Sequence, residues 1–400
     1  MSRAKRPPAA SVELAITALA AGGDGVGRDE RGRVTFVPRT CPGDVVRARV
    51  VHATKSFARA RLVEVLAAAP ERVDPPCPHF VRGCGGCQWQ HVARSAQLAA
   101  KHAIVCNALR KLAGLTVHPV DDPAPAYHWR RRARFHIAGG TVGLYVEGSH
   151  EVLPIDHCPQ LEPALDRALA AVAAASPPDG ELALVLGHRG DVAVGVQRPW
   201  RSAGRLVGTA GIRGVLAGDD VHGEPVIEVE PGLWGGPWDF AQASAAGNAR
   251  LIERTRAALG RGPGRLLELY AGAGNFTRAF VEDGWRVVAS DVVAPARASS
   301  AETSGAVERV VGPAGDVVAA LAGPFDAVVL DPPRAGAAEI IEHVARLAPR
   351  RIVYVSCDPA TLARDAMRLA ERGYRADDAW PVDLMPQTSH IEVVLRLTSA

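Results

Sequence analysis

Leu266-Leu267-Glu268-Leu269-Tyr270-Ala271-Gly272-Ala273-Gly274-Asn275-Phe276-Thr277 is the stretch that decides the fold. An apolar strand runs into a Gly-x-Gly turn and then into a helix start. Gly272 and Gly274 let the backbone come close to a ligand, and such a turn lies at the carboxyl edge of a parallel sheet. A dinucleotide-binding strand carries a third glycine in Gly-x-Gly-x-x-Gly, and Thr277 stands in that place. Further apolar strands are expected over 286–290, 327–330 and 352–355, alternating with helical stretches from about residue 240 onward. That alternation implies an α/β, doubly wound parallel sheet of the Rossmann-like kind.

Working outward, residues 12–17, 34–37, 44–50 and 57–65 read as short strands separated by glycine turns, which predicts a small β-barrel. A proline-rich linker near 69–76 precedes a helical run expected over 89–112 and then a mixed α+β stretch. The organisation expected is a basic tail over 1–10, a barrel over 11–68, a central domain over 69–235 and the doubly wound domain over 236–400. Forty-six Lys and Arg against 43 Asp and Glu leave a charge of only +3, so overall charge alone does not point to nucleic acid; clustering matters more. No apolar run is long enough for a transmembrane helix and no signal core follows the N-terminus, so a cytoplasmic chain away from membranes is expected.

Seven cysteines, an odd number, with three of them crowded, argue against a disulfide framework. Cys77, Cys84 and Cys87 sit together and Cys158 lies apart; four thiolates suit either a 4Fe–4S cluster or structural zinc. A zinc ribbon normally pairs two Cys-x-x-Cys knuckles, whereas three plus a remote single favours iron–sulfur.

The chemistry concentrates at strand ends. Asp291 ends the strand after the glycine turn, where a carboxylate can accept both ribose hydroxyls, and Asp316 can accept from an adenine amino group; both could instead cap local turns. Asp331-Pro332-Pro333-Arg334 puts a carboxylate and a rigid turn at another strand end. Methyltransferases acting on exocyclic amines have an aromatic residue where Arg334 stands. Ser356-Cys357-Asp358-Pro359 places a thiol at the tip of the next strand. Carbon 5 of uracil is a poor nucleophile, and a thiolate adding at carbon 6 turns the ring into an enolate that can attack an electrophilic methyl. A base must then take the carbon-5 proton, and Glu392, on the last strand, is the candidate.

With Ser356-Cys357-x-Pro359-x-Thr361-Leu362-x-Arg364-Asp365 and Pro386-x-Thr388-x-His390-x-Glu392 quoted, the chain resembles the RNA 5-methyluridine methyltransferase family over nearly its whole length. The resemblance implies an S-adenosyl-L-methionine-dependent enzyme with Cys357 as nucleophile and Glu392 as proton acceptor. It implies that Gln242, Tyr270, Asp291 and Asp331 line the cofactor pocket, and that the four cysteines hold an iron–sulfur cluster. It also makes the barrel a TRAM-like, oligonucleotide-binding fold. Ser244 replaces the family's usual Asn, and Asp358 replaces the Asn that often follows the nucleophile; the Asp358 carboxylate is expected to point away from the sulfur.

RNA, ribosomal in preference to transfer, is the expected partner, bound by a monomer with no obligate protein partner. Lys55 and Arg59 flank Phe57 on one barrel strand, a mixture suited to phosphate contact and base stacking. Arg130, Arg132 and Arg134 alternate, so an extended strand puts them on one face with Arg131 opposite. Two rival readings are an RNA cytosine-C5 methyltransferase, which usually carries Asp-Ala-Pro-Cys where Asp331-Pro332-Pro333-Arg334 stands, and a non-catalytic RNA-binding protein on the same scaffold.

Overall fold

A computed structural model describes residues 11–295, 297 and 305–399; the basic tail expected over 1–10 lies outside them. The chain forms two compact units, one running to Ile104 and including Gln387–Ser389, the other comprising Val105–Pro386 and the residues from His390 onward.

In the first unit β1 (Ser11–Leu19), β2 (Gly25–Arg28), β3 (Val34–Val37), β4 (Val45–Ala53) and β5 (Phe57–Ala67) close into a barrel in the order β1-β2-β3-β5-β4. Alternate residues Leu14, Ile16, Val46, Ala48 and Ala60 fill it. Gly27 is required where β1 passes, since a Cβ there would lie 2.4 Å from the Ala15 carbonyl oxygen. A short α1 (Pro78–Val81) follows, and then α2 (Arg94–Leu109). The helix expected from residue 89 starts later because Trp89 is buried beneath the barrel's first turn, donating to the Gly23 carbonyl at 2.9 Å. Gln97 then donates to the Trp89 and Val92 carbonyls, holding 89–92 as a turn.

The second unit contains β6 (Thr116–Val117) and a seven-stranded sheet. That sheet is built from β7 (Arg132–Ala138), β8 (Thr141–Tyr145), β9 (Val152–Pro154), β10 (Gly180–Leu186), β11 (Val192–Val196), β12 (Ile212–Ala217) and β13 (Asp220–Gly223). Its order is β13-β12-β11-β10-β7-β8-β9, with α3 (Pro163–Ala174) between β9 and β10 in the chain. A hairpin, β14 (Ile227–Glu230) and β15 (Leu233–Gly235), follows.

Beyond it come α4 (Ala245–Leu259), β16 (Gly264–Leu269), α5 (Thr277–Glu282), β17 (Trp285–Asp291), β18 (Val307–Val311), α6 (Ala314–Ala320), β19 (Ala327–Leu330), α7 (Ile341–Arg346), β20 (Arg351–Ser356), α8 (Pro359–Glu371), β21 (Tyr374–Val382) and β22 (Glu392–Ser399). They form a sheet ordered β18-β17-β16-β19-β20-β22-β21-β6. One face buries Leu267, Leu269, Val328, Leu330, Ile352 and Tyr354, the other Leu266, Val329, Val353 and Val355. Burial on both faces explains why these strands read as unbroken apolar runs.

Two expectations are corrected. The sheet is not wholly parallel: β22 runs antiparallel to both β20 and β21, because the chain's last two strands form a hairpin-like return instead of a helical crossover. Residues 116–121 also join this sheet, since β6 pairs with Asp378–Ala379 and Asp121 bonds Arg254 at 2.5 and 2.8 Å.

Asp44 is fully buried at the barrel's end, accepting from the Cys41 and Ala69 amides at 2.6 and 2.9 Å and from Arg72 at 2.6 Å. Burial alone would push its carboxyl up, yet Arg72 and the two amides hold it below the usual carboxylate range. Its stabilisation is therefore present above the unfolded carboxyl's pKa of about 3.9 and lost as pH falls through the lower folded value. Asp44→Ala leaves Arg72 and two amides unmatched and should cost about 3 to 5 kcal/mol, read by urea denaturation followed through circular dichroism.

Candidate active site

The order β18-β17-β16-β19-β20 means that the chain builds outward from β16, then returns to lay β19 on its other side. The crevice at the carboxyl ends of β16 and β19 is thus the topological switch point. Tyr270, Gly272 and Gly274 follow β16, Asp291 ends β17, Asp331 follows β19 and Cys357 follows β20. Glu392 opens β22 at the same edge because that strand runs the other way. Ser356 pairs with Val393 in the last rung of the β20–β22 ladder, so Cys357 comes just beyond β20 where β22 begins with Glu392, and the Glu392 carboxylate acts on the Cys357 thiol.

The glycine turn is held from beneath. Tyr270, Gly272 and Gly274 adopt φ of 63°, 54° and 95°, the left-handed region in which glycine is unstrained. Thr277 Oγ1 donates to buried Glu268 at 2.6 Å, and Arg309 donates to the Gly272 carbonyl at 3.1 Å. Asn248 of α4 and Asn275 exchange amide hydrogen bonds at 2.9 and 2.8 Å. Asp291 accepts from the Gly272 and Val293 amides at 2.8 and 3.2 Å, which orients its carboxylate and leaves lone pairs over.

Several features fit a polar, cationic cofactor. A Cβ on Gly272 would meet nothing within 4 Å. Among the described residues the Tyr270 hydroxyl and Glu268 Oε1 are buried without hydrogen-bond partners. Burial pushes the Glu268 carboxyl up to about 8 and that of Asp331 up to about 7, so a positive charge beside Asp331 would favour its ionised form. Gln242 is half-buried, just ahead of Ser244, whose hydroxyl caps α4 by accepting from Gly247 at 3.1 Å. A serine fills the capping role as an Asn would. Asp316 stands exposed in the first turn of α6.

Cys357, Glu392, Asp331 and Arg334 act on one another electrostatically. Burial, then the Glu392 and Asp331 carboxylates, push the Cys357 thiol up to about 11, with Arg334 opposing. Glu392 is 8% exposed; burial, then Asp331, raise its carboxyl to about 8, again opposed by Arg334. Arg334 donates to His390 Nδ1 at 2.9 Å. Asp358 turns its carboxylate into α8, accepting from the Ala360 and Thr361 amides at 2.9 and 3.0 Å. It points away from the sulfur, as expected.

Sequence reasoning did not single out Arg334 and His390 as partners, although both lie in quoted motifs. It also missed the buried support beneath Asp331–Gly336. There Asp365 accepts from Tyr354 Oη and the Ala337 amide, both at 2.8 Å, and from Arg364 at 2.8 Å, while Arg364 reaches the Ala335 carbonyl.

Arg130, Arg132 and Arg134 do alternate with buried Trp129, Arg131 and Ala133. Arg131 faces inward near Glu162 and Glu230, at 3.5 and 3.6 Å. On the barrel, Lys55 and Arg59 are exposed, and Arg59 lies over Phe36, 5.8 Å from its centroid. Cys77, Cys84 and Cys87 belong to the first unit and Cys158 to the second. Among the described residues no group of three or more His, Cys, Asp or Glu is gathered to hold a metal ion.

Residues 10–63 match the TRAM domain family and residues 320–400 the tRNA (Uracil-5-)-methyltransferase family. The chain is 34% identical to the 23S rRNA (uracil(1939)-C(5))-methyltransferase of Chromohalobacter salexigens, over 99% of this chain and 91% of that protein. It is also 34% identical to the Pseudomonas putida protein of the same description, over 95% and 92%. The crystal structure of Pyrococcus abyssi tRNA (uracil-54, C5)-methyltransferase in complex with S-adenosyl-L-homocysteine has the same fold, with a TM-score of 0.76 over 97% of this chain and 99% of that one, at 23% identity. A TRAM barrel and a doubly wound sheet with its crevice at the switch point define a class I, RNA-directed methyltransferase. More narrowly, the chain belongs to the RNA uracil-C5 methyltransferase family.

Gly336 has φ of 77°, and a Cβ there would lie 2.5 Å from both Arg364 Nη2 and Asp365 Oδ2. Gly336→Ala adds about 1 to 2 kcal/mol of left-handed strain and shifts the turn carrying Asp331 and Arg334. Methyl transfer should fall at least tenfold while the melting transition stays cooperative, checked by a labelled-methyl assay beside calorimetry.

Proposed function

We propose that this enzyme methylates carbon 5 of a uridine in 23S ribosomal RNA, with Cys357 as nucleophile and Glu392 as base. The observation that carries the reading is that β20 ends and the antiparallel β22 begins at one edge of the sheet, with the Glu392 carboxylate acting on the Cys357 thiol. The RNA class follows the curated relatives, which span nearly the whole chain.

S-adenosyl-L-methionine, when bound, supplies an electrophilic methyl group. Tyr270, Gly272, Gly274, Asp291 and Asp331, with Gln242, are the residues proposed to hold it, and Asp316 is proposed for the adenine amino group. Cys357 adds to carbon 6 of a uridine flipped from its stack. Arg334, opposing the rise in both the Cys357 and Glu392 values, favours their anionic forms. After carbon 5 is methylated, Glu392 removes its proton, the ring double bond re-forms and the Cys357 sulfur leaves.

Cys357→Ala should abolish methyl transfer and leave cofactor binding intact; turnover by this variant would reject the mechanism. Glu392→Gln cannot accept the carbon-5 proton, so a denaturation-resistant protein–RNA adduct carrying the methyl should accumulate on gels. Glu392 works as a base only when ionised, and its value is raised to about 8. Cys357 must ionise before it attacks and its value is raised to about 11, so kcat/KM should climb from about pH 7 to about pH 9, and a flat profile over that range would count against the mechanism.

Cys77, Cys84, Cys87 and Cys158 are proposed as thiolate ligands of a 4Fe–4S cluster with no part in the methyl-transfer steps. Support comes from their spacing and from the Gly86 amide donating to Cys84 Sγ at 3.4 Å, the kind of contact that stabilises cluster sulfur. Anaerobically purified protein should contain iron and acid-labile sulfide, both lost in Cys84→Ser; zinc in their place would select the other metal.

A further inference from the structure

The outer face of β7 carries more than its arginines. Arg132, Arg134 and His136 alternate with buried Ala133, Phe135 and Ile137, and each of the three is matched to an aromatic ring. Arg132 lies 5.9 Å from the centroid of Phe240 and Arg134 5.4 Å from that of Trp238. His136 stacks on Tyr145 with centroids 3.7 Å apart and planes 12° from parallel, and His150 makes an edge-type contact with Tyr145 at 5.5 Å. His136 pairs with Gly143 across β7 and β8. Tyr145 lies two residues beyond Gly143 on β8 and so shares its face.

This row is not core packing turned outward. Phe240 is 76% exposed. Trp238 rests on Gly195, where a Cβ would come within 2.8 Å of the indole, so its orientation is set in advance. Among the described residues Arg132 Nη1 is buried with no hydrogen-bond partner, and Arg134 makes a loose contact with Glu181 at 3.7 Å. The Asp239 carboxylate acts on the Arg132 guanidinium, but a buried N–H left without an acceptor is costly unless a ligand completes it. Alternate side chains on a strand stand about 7 Å apart, twice the stacked-base repeat of about 3.4 Å. The row starts beside the segment that holds Gln242: the Arg131 amide donates to the Ala243 carbonyl at 2.8 Å, and Arg130 bridges to Ser244.

We infer that Phe240–Arg132, Trp238–Arg134 and Tyr145–His136 form a stacking track for the single-stranded RNA that flanks the target uridine. The inference rests on the RNA-methylating reading above and assigns to the aromatic residues a role in gripping unpaired nucleotides. Aromatic faces accept any base, while the guanidinium groups take the phosphates.

The full-length protein is titrated with a short single-stranded, uridine-containing RNA by fluorescence anisotropy across a salt series. Tyr145→Leu should weaken binding about tenfold or more with an unchanged salt slope, and Tyr145→Phe should restore it. Arg134→Ala should weaken binding and lower the slope by about one, whereas Arg261→Ala, an exposed arginine elsewhere, should do neither. Unchanged affinity in Tyr145→Leu would overturn the track, as would equal competition by heparin, which marks a polyanion site without stacking. The two proposals fail separately. Normal RNA binding by Tyr145→Leu beside methylation by the wild type removes only the track; weakened binding beside a wild type that forms no 5-methyluridine removes only the methylation reading.

Discussion

The antiparallel return of β22 against β20 is the constraint on which the site depends. In a sheet built wholly from crossovers, every strand would present its carboxyl end at the reactive edge. A single reversed strand presents its first residue there instead, and so brings Glu392 from the far end of the chain to face Cys357. Hydrogen bonds on both sides of β22, to β20 and to β21, fix that register, and a slip of one residue would turn Glu392 to the other face.

The electrostatics of the edge follow from the same crowding. Glu392 and Asp331 are carboxylates in a dry crevice beside a thiol, and each raises the proton affinity of its neighbours. Arg334 is the cation that opposes them, and it sits on a turn braced by Asp365, Tyr354 and Arg364. Burial holds both carboxyls above the usual range, so Arg334 alone does not keep them ionised. A cationic methyl donor is the complement such a site requires.

Much of the fold could be read along the chain because its strands are short, apolar and punctuated by glycine and proline. Residues 34–37 and 327–330 are strands with the bounds expected from the sequence, and the alternation of Arg130, Arg132 and Arg134 follows from the period of an extended strand. The helix expected from residue 89 was misplaced because Trp89 and Gln97 make contacts that no local propensity encodes. The strand at 116–117 was overlooked because two residues carry no periodicity, and only their partner at 378–379 makes them a strand.

By itself the sequence determined which atoms could react: a thiol before Asp-Pro, a carboxylate at the last strand, and a glycine turn where a ligand can approach. Those are properties of residue type and local backbone, and they travel with the motif. Only the tertiary structure decided which groups share a field, because that depends on strand order and direction. It joined Arg334 to His390 and laid Trp238 and Phe240 against a strand far from both in the chain. Contacts between distant segments arise from how sheets stack and pair, and no window of neighbouring residues contains that information.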